Sequence, residues 1–265
     1  MFSLRSLRIF GIAIIVILGT ISSCIAQEGR AGITPSQKEQ LKNLAVETKS
    51  KTTSERSNLR RARIELFQVY KSYNIDEQKA KAALAKISSA QAALLDIHLQ
   101  NQIELRRILN EDQFNLFRKR MERFRDHNSR AMSQLDSNLD KLPDRQMLKN
   151  AGVNREQLRK AAAILTPKQV RIKVIEKLRR SSMQIMGLYR KYNLDTQTAK
   201  KLIQDIHDNQ SELADLNHKK QQALRNVLTE SQFIKVRNQI EKKMREGIPT
   251  GGSRKIGSGW DKSVV

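Results

Sequence analysis

The chain has 265 residues, with 50 Lys and Arg against 27 Asp and Glu and a net charge of +23. Aromatic residues make up 5% of it and prolines number 4, which excludes a thick aromatic core and favours long helices with narrow apolar stripes. With one cysteine, Cys24, there is no intrachain disulfide, so packing alone must stabilise the fold.

Residues 1–26 come first and are set apart from the fold. Arg5 and Arg8 precede an apolar run, Ile9 to Leu18, which is short of the ~20 residues a membrane span needs. Small residues follow, through Ser22, Ser23 and Cys24 to Ala26. This is the pattern of a bacterial-type export signal, and it predicts a periplasmic protein. Two cleavages are open. One falls after Ala26 and leaves a soluble chain starting at Gln27. The other reads Ile21-Ser22-Ser23-Cys24 as a lipobox, with Cys24 as the lipidation site and the chain anchored there. No later apolar run is long enough to span a membrane. Export removes nucleic acid from the partners that such a basic chain suggests. Anionic surfaces remain: head groups, acidic polymers and acidic unfolded chains.

Beyond the signal, the chain repeats itself. Shifted by 119 residues, it matches itself without a gap for about fifty residues. Tyr70, Tyr73, Asn74 and Asp76 fall on Tyr189, Tyr192, Asn193 and Asp195. Ile87, Gln91, Leu94 and Asp96 fall on Ile206, Gln210, Leu213 and Asp215. Leu105, Arg106, Leu109, Gln113 and Phe114 fall on Leu224, Arg225, Leu228, Gln232 and Phe233. Upstream the register drifts, though Ala31-Gly32-Ile33 still resembles Ala151-Gly152-Val153. The period is too long for a solenoid and indicates a duplicated domain. The expected organisation is a first unit at 30–127, a weakly structured linker at 128–150, a second unit at 151–246 and a disordered tail at 247–265.

Each unit has helical periodicity. Leu84, Ile87, Leu94, Ile97, Leu105 and Ile108 form one stripe, and Ile203, Ile206, Leu213, Leu216, Leu224 and Val227 form its counterpart. Gln91 and Gln210 interrupt the two stripes at the same place and are read as boundary positions with the amide reaching solvent. The Tyr-Asn-Ile-Asp turn at 73–76 and the Tyr-Asn-Leu-Asp turn at 192–195 each end one helix and cap the next. Long helices are therefore predicted at about 54–73, 76–108, 167–192 and 195–227.

Four short segments have one shape: Ile33-Thr34-Pro35-Ser36-Gln37, Leu109-Asn110-Glu111-Asp112-Gln113, Leu165-Thr166-Pro167-Lys168-Gln169 and Leu228-Thr229-Glu230-Ser231-Gln232. The Thr or Asn can accept from the backbone N–H three residues on, and the Gln can reach back to the cap's own N–H. That is a capping box, with Pro35 and Pro167 at a position where a missing N–H costs nothing and the leading Leu or Ile placed as a hydrophobic staple. The motif starts a helix at a set angle and needs no catalytic role.

On these LTxxQ segments the chain resembles the Spy/CpxP family of periplasmic stress proteins. Asn110 departs from the pattern by Asn for Thr, and Ile33 by Ile for Leu; both changes keep the capping chemistry. The resemblance implies an all-α fold of long bent helices, a four-helix cradle that is normally a dimer of two chains. Here two such units follow one another in one chain, joined by a short linker, so the second unit can stand in for the dimer partner. The outcome is then either a monomeric pseudo-dimer or a homodimer. The resemblance also implies an ATP-independent chaperone for unfolded or misfolded envelope proteins, working through a basic concave surface. The alternative is an accessory inhibitor that docks on an envelope-stress or metal-stress sensor domain.

Enzymatic chemistry is not expected. No Gly-rich phosphate loop follows a strand pattern, and Ser, His and Asp combine only by composition. For metals, His207 and His218 stand eleven residues apart on one predicted helix, about 16 Å at 1.5 Å per residue, too far for one ion to bridge. Neither has a histidine counterpart in the first unit, where Ser88 and Leu99 hold those places. His98 and His127 complete the histidines. Asp208, Glu212 and Asp215 form an acidic stripe leading to His218, read as a solvated face beside Lys219 and Lys220. No metal site and no cofactor are expected.

Overall fold

A computed structural model describes residues 32–128, 143, 145–165 and 169–246. The expected signal with Cys24, most of the expected linker, the segment Thr166 to Lys168 and the tail after 246 lie outside the described residues. All regular structure within them is helical. In chain order the helices are α1 (Pro35–Val69), α2 (Glu77–Ile108), α3 (Glu111–Asn128), α4 (Arg145–Asn150), α5 (Arg155–Leu165), α6 (Gln169–Tyr189), α7 (Thr196–Arg225) and α8 (Glu230–Glu246).

Two hairpins dominate. In the first, α1 folds back on α2 and encloses Ala62, Leu66, Ala80, Ala83 and Ile87. In the second, α6 folds back on α7 around Val174, Leu178, Ile185, Leu202, Ile203 and Ile206. Both turns work as their sequence suggests. Asp76 accepts from the Lys79 N–H at 3.0 Å, and Asp195 accepts from the Thr198 N–H at 3.0 Å, each starting the next helix.

Three expectations are corrected. The first helix begins at Pro35 rather than near 54 and runs unbroken for 35 residues. Between Ser36 and Val69 there is no glycine or proline to stop it. The expected linker ends early, because Arg145–Asn150 is helical, packs on α8 and buries Met147 and Leu148. This helix closes on Gly152, whose positive φ of 77° lets the Val153 N–H reach the Leu148 carbonyl and the Gly152 N–H reach that of Lys149. Finally, Gln210 does not turn its whole amide to solvent: its Oε1 is buried without a hydrogen-bond partner among the described residues.

The two hairpins pack against each other through α2 and α7, which run antiparallel. This explains why the apolar stripe on α2 is wider than its periodicity suggested. One face serves α1, while Leu95 and Leu99, outside the predicted stripe, are buried in the core of the second hairpin. The remaining core lies at the two ends. Leu41, Leu105, Leu109, Phe114 and Phe117 cluster at one, with Tyr192 of the other hairpin packed against them. Leu148, Val153, Leu224, Leu228 and Phe233 cluster at the other, with Tyr73 packed against them. Among the described residues no helix is long and apolar enough to cross a membrane.

Candidate functional site

The capping boxes are built as hydrogen bonds. Gln37 N–H donates to Thr34 Oγ1 at 3.2 Å, and Thr34 N–H donates to Gln37 Oε1 at 3.0 Å. Asn110 with Gln113 and Thr229 with Gln232 do the same. The segment predicted to form the fourth box is only partly described. Thr166 lies outside the described residues, Gln169 is exposed at the start of α6, and Leu165 ends α5 with its carbonyl accepting from Lys220 Nζ at 3.3 Å. The box that mirrors Thr34 is Asn154 with Gln157, whose two bonds measure 2.8 and 3.2 Å. Its sequence signal is the likeness of Ala31-Gly32-Ile33 to Ala151-Gly152-Val153.

Pairing is what the boxes add beyond capping. Gln37 and Gln113 donate to each other's Oε1 at 3.0 and 3.2 Å; Gln37 Nε2 also reaches the Ile108 carbonyl, and Gln113 Nε2 the Gly32 carbonyl. Gln157 and Gln232 repeat the pattern on each other and on the carbonyls of Val227 and Gly152. Gly32, at φ 58°, matches Gly152 in conformation and in role. The leading residues are placed as staples: Leu109 and Leu228 are buried and Ile33 packs on the Leu109 cluster.

A second device joins the hairpins. The Arg225 guanidinium, on α7, donates to the carbonyls of Tyr70 at 2.7 Å and Ser72 at 3.1 Å in the first turn. Arg106, on α2, donates to Tyr189 at 3.0 Å, Lys191 at 2.7 Å and Tyr192 at 2.8 Å in the second. The tyrosines return the contact. Tyr73 OH donates to the carbonyls of Arg225 and Leu228, and Tyr192 OH to those of Arg106 and Leu109. Each guanidinium also lies 4.4 Å from a ring centroid, Arg106 over Phe114 and Arg225 over Phe233. Burial lowers both arginines to about 10, so both stay charged at neutral pH. These residues match one another across the repeat, yet their match alone does not say that each arginine serves the opposite hairpin.

Titratable groups collect along the α2–α7 contact. Midway, Ser88 Oγ lies 2.8 Å from His207 Nε2 and 3.0 Å from Ser211 Oγ, while His207 Nδ1 is 3.7 Å from Asp208 Oδ1. The order Ser-His-Asp is that of a hydrolytic triad, but Ser88 sits within α2, where neighbouring N–H groups are committed to the helix and none is presented to an oxyanion. At one end, His218 is buried between Glu77, 3.0 Å from its Nε2, and the Tyr70 hydroxyl, 2.9 Å from its Nδ1. Gln222 also donates to Glu77, and this bond, with that of His218, holds the carboxyl below its ordinary value. The acidic stripe Asp208, Glu212 and Asp215 is exposed; the partner of His218 comes from the other hairpin. At the opposite end His98 packs edge-on against Tyr189, 4.9 Å between ring centroids, and burial lowers its imidazole to about 4. Nearby, an open cleft of about 590 Å³ is lined by Ile103, Arg106, Arg107 and Tyr192 to Thr196. Among the described residues no three His, Cys, Asp or Glu side chains are grouped to hold a metal ion.

The outer helices carry a different surface. On α6, Arg171, Lys173, Lys177, Arg179 and Arg180 face one acid, Glu176, and Val170, Ile172 and Met183 are exposed among them. On α1, Val46 and Ile64 are exposed in an equally basic sequence, but acids are interleaved and pair locally, as in Lys51 with Glu47 at 2.6 Å. Large apolar side chains at 64% exposure, as for Val46 and Met183, contribute nothing to the core.

No protein-family model, curated protein or solved structure matches the chain.

Proposed function

We propose that this chain is an exported, non-enzymatic chaperone that holds unfolded or aggregation-prone envelope proteins without ATP, as a relative of the Spy/CpxP proteins. The observation that carries the reading is the outer surface of α6 and α1, where single exposed apolar side chains stand in a basic field. Long-range attraction would gather acidic unfolded chains, and shallow apolar contacts would hold them loosely enough to release unaided. The capping residues Thr34, Gln37, Asn110, Gln113, Thr229 and Gln232 are structural in this reading, since their side-chain bonds are internal.

Aggregation suppression by the mature protein, measured across a salt series, tests it. The Debye length falls from ~30 Å at 0.01 M to ~8 Å at 0.15 M. Capture of acidic clients should slow steeply over that range, while neutral clients remain protected. Serine at Val170, Ile172 and Met183 together should weaken protection with stability changed by less than about 0.5 kcal/mol per site. Failure to protect any neutral client at physiological salt would sink the chaperone reading. Tight binding of one folded sensor domain with no effect on unfolded chains would favour the accessory-inhibitor alternative.

A further inference from the structure

We propose that the two hairpins are matched to each other and not to themselves, so that the chain closes its own pseudo-dimer and this face is not offered to a second copy. The argument begins with a symmetry. Residues related by the repeat exchange contacts: Arg106 serves the Tyr192 turn as Arg225 serves the Tyr73 turn, and positions 88 and 207, equivalent in the repeat, face each other. That is the geometry of an isologous interface, in which position i meets j and j meets i. A first hairpin could therefore, in outline, pair with another first hairpin.

The side chains that differ between the repeats decide against it. In the observed pairing Glu77 meets His218 and Gln222. The mirror of that cluster is Thr196, Leu99 and Ile103, and there Leu99 joins the aliphatic core of the second hairpin. Pairing two first hairpins would set the half-exposed Glu77 carboxylate beside Leu99 and Ile103, which can donate no hydrogen bond in place of His218 and Gln222. Pairing two second hairpins would set His218 against Thr196 and bring His207 onto His207 at the axis. Each self-pair thus loses a satisfied polar contact and gains a mismatched one, which is how an interface acquires specificity through repulsion as well as attraction.

The test uses the full chain with Cys24→Ser. Ser88→Cys alone should stay monomeric under oxidation, because position 88 faces His207 and Ser211; a self-paired face would place two copies of the new thiol together. Ser88→Cys with Ser211→Cys should form a disulfide within one chain, seen as a linked peptide in a monomer. Next, a protease site placed within 129–142 is cut in the folded protein, and heavy-isotope and light preparations are unfolded, mixed and refolded. Native mass spectrometry should find first halves paired with second halves, with self-pairs at least roughly tenfold below the statistical level, about 1.4 kcal/mol of preference. Glu77→Thr with His218→Leu, which installs at each site the residue of its counterpart, should raise the self-pairs severalfold. Covalent dimers from Ser88→Cys alone, halves that separate on cutting, or statistical pairing of the wild-type halves would each overturn the proposal.

Discussion

The two ends of the α2–α7 pair share one plan and differ in their chemistry. At both, a buried arginine ties the opposite turn by its carbonyls, a tyrosine returns the bond, and a phenylalanine lies under the guanidinium. At the Arg225 end the neighbouring space is filled by a polar bridge of Tyr70, His218, Glu77 and Gln222. At the Arg106 end the same positions hold Tyr189, Leu99, Thr196 and Ile103, and a cleft is left open. The comparison teaches which parts are frame and which are address. What both ends keep is needed to close the hairpins; what only one end has tells the halves apart.

Removing a guanidinium should give the largest effect. Arg225→Leu strands the carbonyls of Tyr70 and Ser72, and hydrogen bonds to a charged group are worth about 1.5–3 kcal/mol each, so a loss near 3 kcal/mol or more is expected from denaturant midpoints. Arg106→Leu should cost a similar amount, less whatever relief the open cleft gives through water reaching the stranded carbonyls. Equal losses would mean that the open cleft gives the stranded carbonyls no relief.

Next come the paired glutamines. Gln113 is buried and Gln232 half-buried, although both make the same set of bonds. Gln113→Ala should cost about 1–2 kcal/mol and Gln232→Ala somewhat less, because water can replace more of what is lost there. Chaperone activity should follow stability in both. A folded but inactive Gln232→Ala would show that the box contacts clients.

His98 sets the Arg106 end apart by pH. Burial holds His98 at about 4, below its ordinary 6.5. The unfolded chain takes up that proton first, so this residue lowers stability as pH falls from about 6.5 to about 4 and has no such effect above 6.5. His98→Asn, which copies Asn217 of the second repeat, should flatten that part of the profile in urea midpoints between pH 7.5 and 4.5. The smallest effect belongs to the caps. Hydrogen bonds to Lys79 and Thr198 hold the Asp76 and Asp195 carboxyls below their usual range. Their contribution is present above ~3.9 and is lost as pH falls through the lower folded value. Asp195→Asn keeps the cap acceptor and should remove only its share of that acid slope.

Much of this was legible in the linear chain because it depends on near neighbours. Helical class follows from the 3.6-residue period, the turns from Asp76 and Asp195, and the capping boxes from residues three apart, all of which local backbone bonding dictates. The first helix starts earlier than its periodicity suggests because a polar, weakly periodic stretch carries no sign of continuing beyond the absence of glycine and proline. The box at Asn154-Arg155-Glu156-Gln157 is harder to see in the sequence because it lacks the leading Leu-Thr pair of the more conspicuous segments, although Asn caps as well as Thr.

Tertiary structure alone decided the partners. Repetition marked Arg106 with Arg225 and Tyr73 with Tyr192 as equivalent, but equivalence does not say whether a residue serves its own repeat or the other. That depends on how α2 crosses α7, which is set by packing of Leu95 and Leu99 into a core more than seventy residues distant in sequence. For the same reason His218 could be placed on a helix face from sequence but not beside Glu77: a contact spanning 141 residues leaves no periodic trace, and only the closed fold brings the two together.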